Sequence, residues 1–218
     1  KRTNTGAGPS NASTDPRFPT DELRIKFEST IYKAIRTTCI DRSFFLRSCP
    51  SALEVIGHYN LRNLVECTSP INISLCAEFC NNLVKVDDLT YTTRAAGTDI
   101  TFSPTTIREF LELRPSTCSF LCYPPRDLPF GDPYSHITLD TIYSYFFGGE
   151  RDPTVTQFRS VELRVQDYAL YRVVVLCILP LTTRDIAVMR PFHSFLLYAL
   201  SHRLDIDISL HIFSTIIY

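Results

Sequence analysis

SPINISLCAEFCNNL (residues 69–83), followed closely by YTTRAAGTDITF (91–102) and SPTTIREFLEL (103–113), is the stretch that decides the fold. It reads as helix, hairpin, helix. Ser69 is placed to cap a helix whose first position holds Pro70, where a missing N–H has no intrahelical partner to lose. Ile71, Leu75, Phe79 and Leu83 then return every four residues to one face. Over 89–93 and 99–102 the composition shifts to Thr, Tyr and Ile around Ala95-Ala96-Gly97, as a small β-hairpin requires. Ser103-Pro104 repeats the cap-and-proline signature, and Ile107, Phe110 and Leu111 supply an apolar face that ends before Pro115.

Outward from this stretch the helical pattern continues. Residues 1–20 hold Gly6, Gly8, Pro9, Pro16 and Pro19 among Ser, Thr and Asn, a composition that predicts a flexible tail. Thr20 is the expected N-cap of a first helix with Asp21 and Glu22 in its first turn and Leu23, Phe27, Ile31, Ala34 and Ile35 on one face. Lys26, Lys33 and Arg36 fall on the opposite half. A short helix after Pro50, carrying Leu53 and Ile56, is closed by Gly57. Residues 115–133, with five prolines among aromatics, form a draped loop. Thr138 caps a helix with Leu139, Ile142, Tyr143 and Phe146 that Gly148-Gly149 stops, a longer helix occupies 161–177, and another starts at Pro191 with Phe192, Phe195, Leu196 and Ala199. The expected fold is mainly α: a flexible tail over 1–20 and one helical domain over 21–218 with a single small hairpin.

Composition sets the class. At 218 residues, with 44% apolar and 21% charged, the chain is long enough for one buried core and too apolar for wholesale disorder. A net charge of −1 and a pI near 6.6 argue against a domain that coats nucleic acid. The longest apolar run, 173–181, contains Pro180 and falls well short of the roughly twenty residues of a membrane span. No secretory signal is visible, and the ends, Lys1 and Ile216-Ile217-Tyr218, read as cuts from a longer product. An intracellular protein, cytoplasmic or nuclear, is expected, with its cysteines reduced and mostly buried.

Catalytic patterns are missing from the sequence. The seven glycines form no phosphate-cradling loop, no Gly-x-Ser-x-Gly or His-Glu-x-x-His occurs, and protease, reverse-transcriptase and zinc-knuckle signatures are absent. No cofactor and no small-molecule substrate is expected. Asp205 and Asp207 read as solvated positions flanking a buried Ile206. The best metal candidates are the two Cys-x3-Cys spacings, Cys76/Cys80 and Cys118/Cys122, since thiols one turn apart share a helix face. Buried thiols are the plainer reading. Lys26, Lys33 and Arg36 are the candidate phosphate contacts, against the plainer reading of a solvated helix face.

With those residues in view, the order of segments resembles the plant transposon-protein domain family of retrotransposon-related plant reading frames. Residues 72–83, with Glu78-Phe79 before Cys80-Asn81-Asn82, are similar to the family's Glu-Phe-Tyr-Ala-Asn helix, with Cys80 where Tyr is usual. Residues 94–113 resemble its hairpin, serine cap and following helix. Leu179-Pro180-Leu181-Thr182-Thr183, Leu196-Leu197-Tyr198-Ala199-Leu200 and Ile206-Asp207-Ile208 resemble its last blocks. Arg184 stands near an expected His, and Arg203 and Ser209 near expected glycines. The resemblance implies a helical domain and no catalytic residues. The expected function is a non-catalytic structural or interaction module of a mobile-element-derived protein, with a protein partner. The alternatives are a nucleic-acid-binding accessory domain, since 18 of the 22 cations are Arg, and a divergent metal-dependent nuclease.

Overall fold

The computed structural model describes residues 15, 17–18, 20–29, 42–66, 72–118, 134–179 and 186–217. In chain order its elements are α1 (Asp21–Ser29), α2 (Arg42–Ser48), α3 (Pro50–His58), α4 (Arg62–Val65), α5 (Ile73–Asn81), β1 (Val84–Lys85), β2 (Tyr91–Ala95), β3 (Thr98–Phe102), α6 (Pro104–Leu111), α7 (Leu139–Phe147), β4 (Phe158–Arg159), α8 (Val165–Val173), β5 (Val188–Met189), α9 (Pro191–Ser201) and α10 (Ile208–Ile217). The fold is mainly helical, with a few short antiparallel strands. Its contacts divide the chain into two compact units, Lys1–Ala34 with Pro70–Ser103, and Ile35–Ser69 with Pro104–Tyr218.

In the first unit α5 packs on β2 and on α1, and the strands run in the order β1-β2-β3. The expected hairpin is present, with Thr93 opposite Ile100 and Ala95 opposite Thr98. Its two-residue turn places Ala96 at φ 49° and Gly97 at φ 75°, the left-handed pair that matches strand twist. β1 adds a third strand that the sequence reading did not contain, because two residues carry no alternation to read. Thr20 caps α1 as expected, its hydroxyl accepting from the Leu23 N–H. Packing extends to residue 18, however. Phe18 is 3% exposed and its ring meets Phe27 at 5.0 Å, so this residue of the expected tail belongs to the core.

α5 differs from its reading in start and in face. Its cap is Asn72, whose Oδ1 accepts from the Leu75 N–H at 3.1 Å, rather than Ser69, which lies outside the described residues. Ala77, Glu78 and Asn81 face inward, while Ile73 and Leu75 are 47% and 38% exposed. Hydrogen bonding explains the rotation. Glu78 Oε1 accepts from the Ala96 N–H at 3.0 Å in the hairpin turn, and Asn82 Nδ2 donates to the carbonyls of Arg17 and Arg94 at 2.9 and 2.8 Å. The Thr93 hydroxyl donates to the Phe79 carbonyl at 2.6 Å. Backbone groups that the turn and strands leave open are satisfied by polar side chains, so these outrank Leu75 for the interior. Of the expected face, half-buried Phe79 still packs edge-on against Phe102.

In the second unit α9 is the axis. His193 to Leu197, Ala199 and Leu200 are all buried, and α3, α7, α8 and a π-helical segment, Val174–Ile178, pack around it. A helix buried on every side shows apolar residues all round, as α9 does. α7 follows its reading: Thr138 accepts from the Thr141 N–H at 3.2 Å, Ile142 and Phe146 are buried, and Gly148 at φ 73° ends it. The helix expected over 161–177 starts later. Val161 lies exposed in a 3₁₀ turn (Ser160–Glu162), and α8 begins at Val165 and widens into the π segment. β4 pairs with β5 through Phe158 and Met189, a two-stranded ladder absent from the sequence reading.

Three further corrections concern helix ends and faces. Gly57 remains helical, and α3 is closed by Asn60 at φ 55°, with the Leu61 N–H reaching back to the Ile56 carbonyl at 2.9 Å. Phe110, expected on the inner face of α6, is 84% exposed, and Ile107 and Pro104 are the buried residues there. Asp207, expected in solvent, is 7% exposed. It accepts from the Leu210 N–H at 3.2 Å and from the Ser209 hydroxyl, and so caps α10, a helix that the sequence reading did not assign.

Candidate functional site

A cleft of the second unit, about 480 Å³, opens where the starts of α3 and α8 meet the ends of α7 and α9. Ser51, Tyr145, Arg164, Gln166, Asp167 and Ser201 contribute its polar lining. The first turns of α3 and α8 bring Ser51, Gln166 and Asp167 together, and Tyr145 and Ser201 come from the last turns of α7 and α9. Ser51 donates its hydroxyl to Gln166 Oε1 across the cleft, and Arg164 Nε donates to Asp167 Oδ2 at 2.7 Å. The Arg164 guanidinium also lies 5.5 Å from the centre of the Tyr145 ring. Its hydrogen bond to Asp167 pushes its pKa further up, so it stays a fixed cation.

A smaller recess is lined by His58, Tyr59, Arg114, Arg203 and Asp205. Tyr59 donates its hydroxyl to the Leu204 carbonyl at 2.6 Å, and its own carbonyl accepts from the Arg114 N–H at 3.2 Å. Partial burial, and then the charges of Arg114 and Arg203, push His58 below its usual pKa. Thr117 donates both its N–H, at 3.0 Å, and its hydroxyl to Asp205, which lowers that carboxyl. These groups bind loop backbone to helix ends, a structural use of polar chemistry.

The third feature is the outer side of α6. Phe110 stands in solvent between Glu109 and Glu112, both exposed. On its other side the same helix packs against α10, with Ile107 buried and Arg108 paired with Asp207, and the Leu113 N–H donating to the Arg108 carbonyl at 2.9 Å closes its last turn.

The residues singled out from sequence fall as follows. Lys26 is exposed in the last turn of α1, and Lys33 and Arg36 lie outside the described residues. Cys76 and Cys80 are free thiols one turn apart on α5 and both are exposed, against the expectation of burial. Cys118 is a buried free thiol of the second unit, and Cys122 lies outside the described residues. Among the described residues no group of three or more His, Cys, Asp or Glu is arranged to hold a metal ion. None of their helices is long and apolar enough to cross a membrane. The cleft residues were missed because Ser51, Tyr145, Arg164 and Ser201 lie in four separate segments that share no local motif. Compared with family models, curated proteins and solved structures, the chain matches none.

Proposed function

We propose that this chain is a non-catalytic interaction module of a plant mobile-element-derived protein, working inside the cell, and that α6 carries its contact for a protein partner. The observation that carries the reading is Phe110, a large aromatic left 84% exposed on a helix whose other side is pinned. Burying such a ring recovers roughly 2 kcal/mol, and an aromatic on a rigid element loses little entropy when it is covered. Glu109 and Glu112 beside it suit an apolar pocket with a basic rim. The non-catalytic part of the reading rests on the sequence, which carries none of the known catalytic motifs. The origin rests on the three resembling blocks alone.

The test replaces Phe110 with a photo-crosslinking phenylalanine analogue to find the partner, then measures binding of the purified partner. Phe110→Asp is expected to abolish that binding and to leave the melting temperature within about 2 °C, the scale of a surface change. Crosslinks to nucleic acid with salt-dependent retention, or cleavage of nucleic acid with magnesium or manganese, would overturn the reading in favour of its rivals.

A further inference from the structure

The cleft between α3, α7, α8 and α9 has the size and lining of a ligand site, and the reading of α6 makes no use of it. Its volume of about 480 Å³ lies inside the range of roughly 300–1,000 Å³ that small-molecule sites occupy. Two contacts fix its walls: the Cys49 thiol faces the Val165 carbonyl at 4.0 Å, and the Ser51 hydroxyl donates to Gln166 Oε1. The starts of α3 and α8 therefore lie side by side, and neither is closed by a side-chain cap. Ser51, Gln166 and Asp167, in those first turns, line the cleft, so the positive ends of two helix dipoles meet there.

Side chains complete the lining. Asp167 holds Arg164 through Nε, and the terminal nitrogens of the guanidinium remain as donors beside the Tyr145 ring. Gln166, with its Oε1 occupied by Ser51, keeps its amide NH2 for an acceptor. Ala52, Val55 and Leu170 supply an apolar wall. Ser201 also lines the cleft, and its Oγ is buried with no hydrogen-bond partner among the described residues, a condition that native proteins seldom leave without a ligand or a water to meet it.

We propose that this cleft binds a small organic anion, a carboxylate or phosphate head on a short apolar body. Arg164 and Gln166 hold the head at the two helix starts, and the body lies against Ala52, Val55 and Leu170. The balance of charge sets the sign of the ligand. Arg164 and Asp167 cancel, which leaves the two helix ends as the net field, and such ends take anions. A cation would meet both positive ends and an acid that is already engaged.

This inference is independent of the role of Phe110. The experiment titrates the full chain by calorimetry at low salt with hexanoate, phenyl phosphate, inorganic phosphate and hexylamine. Hexanoate or phenyl phosphate is expected to bind saturably, the tighter of the two naming the head, with inorganic phosphate weaker and hexylamine not bound. Arg164→Met weakens binding by roughly tenfold or more, the worth of a charged hydrogen bond. Because that change also strips Asp167 of its counter-ion, Val165→Glu serves as the second variant: an acid there favours the start of α8 but repels the ligand, so affinity falls while the melting temperature holds or rises. Ser201→Ala, which removes the unsatisfied hydroxyl, raises the melting temperature of the protein without ligand and reduces the further gain on adding it. Phe110→Asp leaves the affinity unchanged, which separates failure here from failure of the α6 reading. Four results overturn the proposal: no saturable binding of either organic anion, inorganic phosphate as tight as phenyl phosphate, hexylamine as tight as hexanoate, or an affinity that Val165→Glu does not lower.

Discussion

Asp207 serves three groups at once: the Leu210 N–H, the Ser209 hydroxyl and the Arg108 guanidinium. Removing it leaves a partly buried arginine without its counter-ion and α10 without its cap. Breaking a buried pair costs about 3–5 kcal/mol and losing a cap about 1. Because Arg108 keeps some solvent contact, Asp207→Ala is expected to lower stability by about 3 kcal/mol in urea unfolding. Asp207→Asn, which retains a capping oxygen, should lose less. A loss under about 1 kcal/mol for the alanine variant would mean that the pair does not hold. His211, one turn further along α10, is held neutral. Burial pushes it from 6.5 down to about 4, with Asp207 opposing only in part. The unfolded chain therefore takes up a proton below about pH 6.5 that the folded chain refuses until about pH 4. Its contribution is fully present above that window and falls with acid by about 3 kcal/mol in all. Urea midpoints of the wild type and of His211→Gln between pH 7 and 4 check this, the variant showing the flatter profile.

At the scale of the element, the chain is governed by how its helices end. Gly148 stops α7 at φ 73°, ψ 157°, a conformation essentially reserved for glycine, and a Cβ there would meet nothing within 4 Å. The cost of Gly148→Ala is therefore pure backbone strain, about 1–3 kcal/mol by thermal unfolding. An unchanged midpoint would show that α7 ends differently. This stop was legible in the sequence, as was the Thr138 cap, because both act within a single turn. The cap of α5 was less so. Ser69 and Asn72 are both good capping residues, and local chemistry does not choose between them. Gly57 was misread for the same reason: Asn60 also tolerates the left-handed conformation, and the contact of Leu61 with the helix end decided where α3 closes. The site residues were harder still. Ser51 and Gln166 are hydrogen-bonded across 115 positions of sequence, beyond the reach of any periodic pattern.

At the scale of the whole molecule, burial is concentrated around α9 and within each compact unit rather than along every apolar stripe. Leu197→Ala, in the centre of α9, is expected to cost about 2–5 kcal/mol, whereas Leu75→Ala on α5 should stay within about 0.5. Equal losses on denaturation would contradict the described packing. The sequence by itself determined the mainly helical class, the hairpin about Gly97, most helix positions and the lack of known catalytic motifs, because periodicity, capping and turn chemistry act over a few residues. Tertiary structure alone decided which stripe of each helix is covered. It turned Glu78 and Asp207 inward to satisfy backbone groups, left Phe110 and the Cys76/Cys80 pair outside, and recruited Phe18 into a core. The physical reason is that a repeat in the chain marks a face, but only the neighbours that fold against it, with their own unsatisfied hydrogen bonds, determine whether that face is buried.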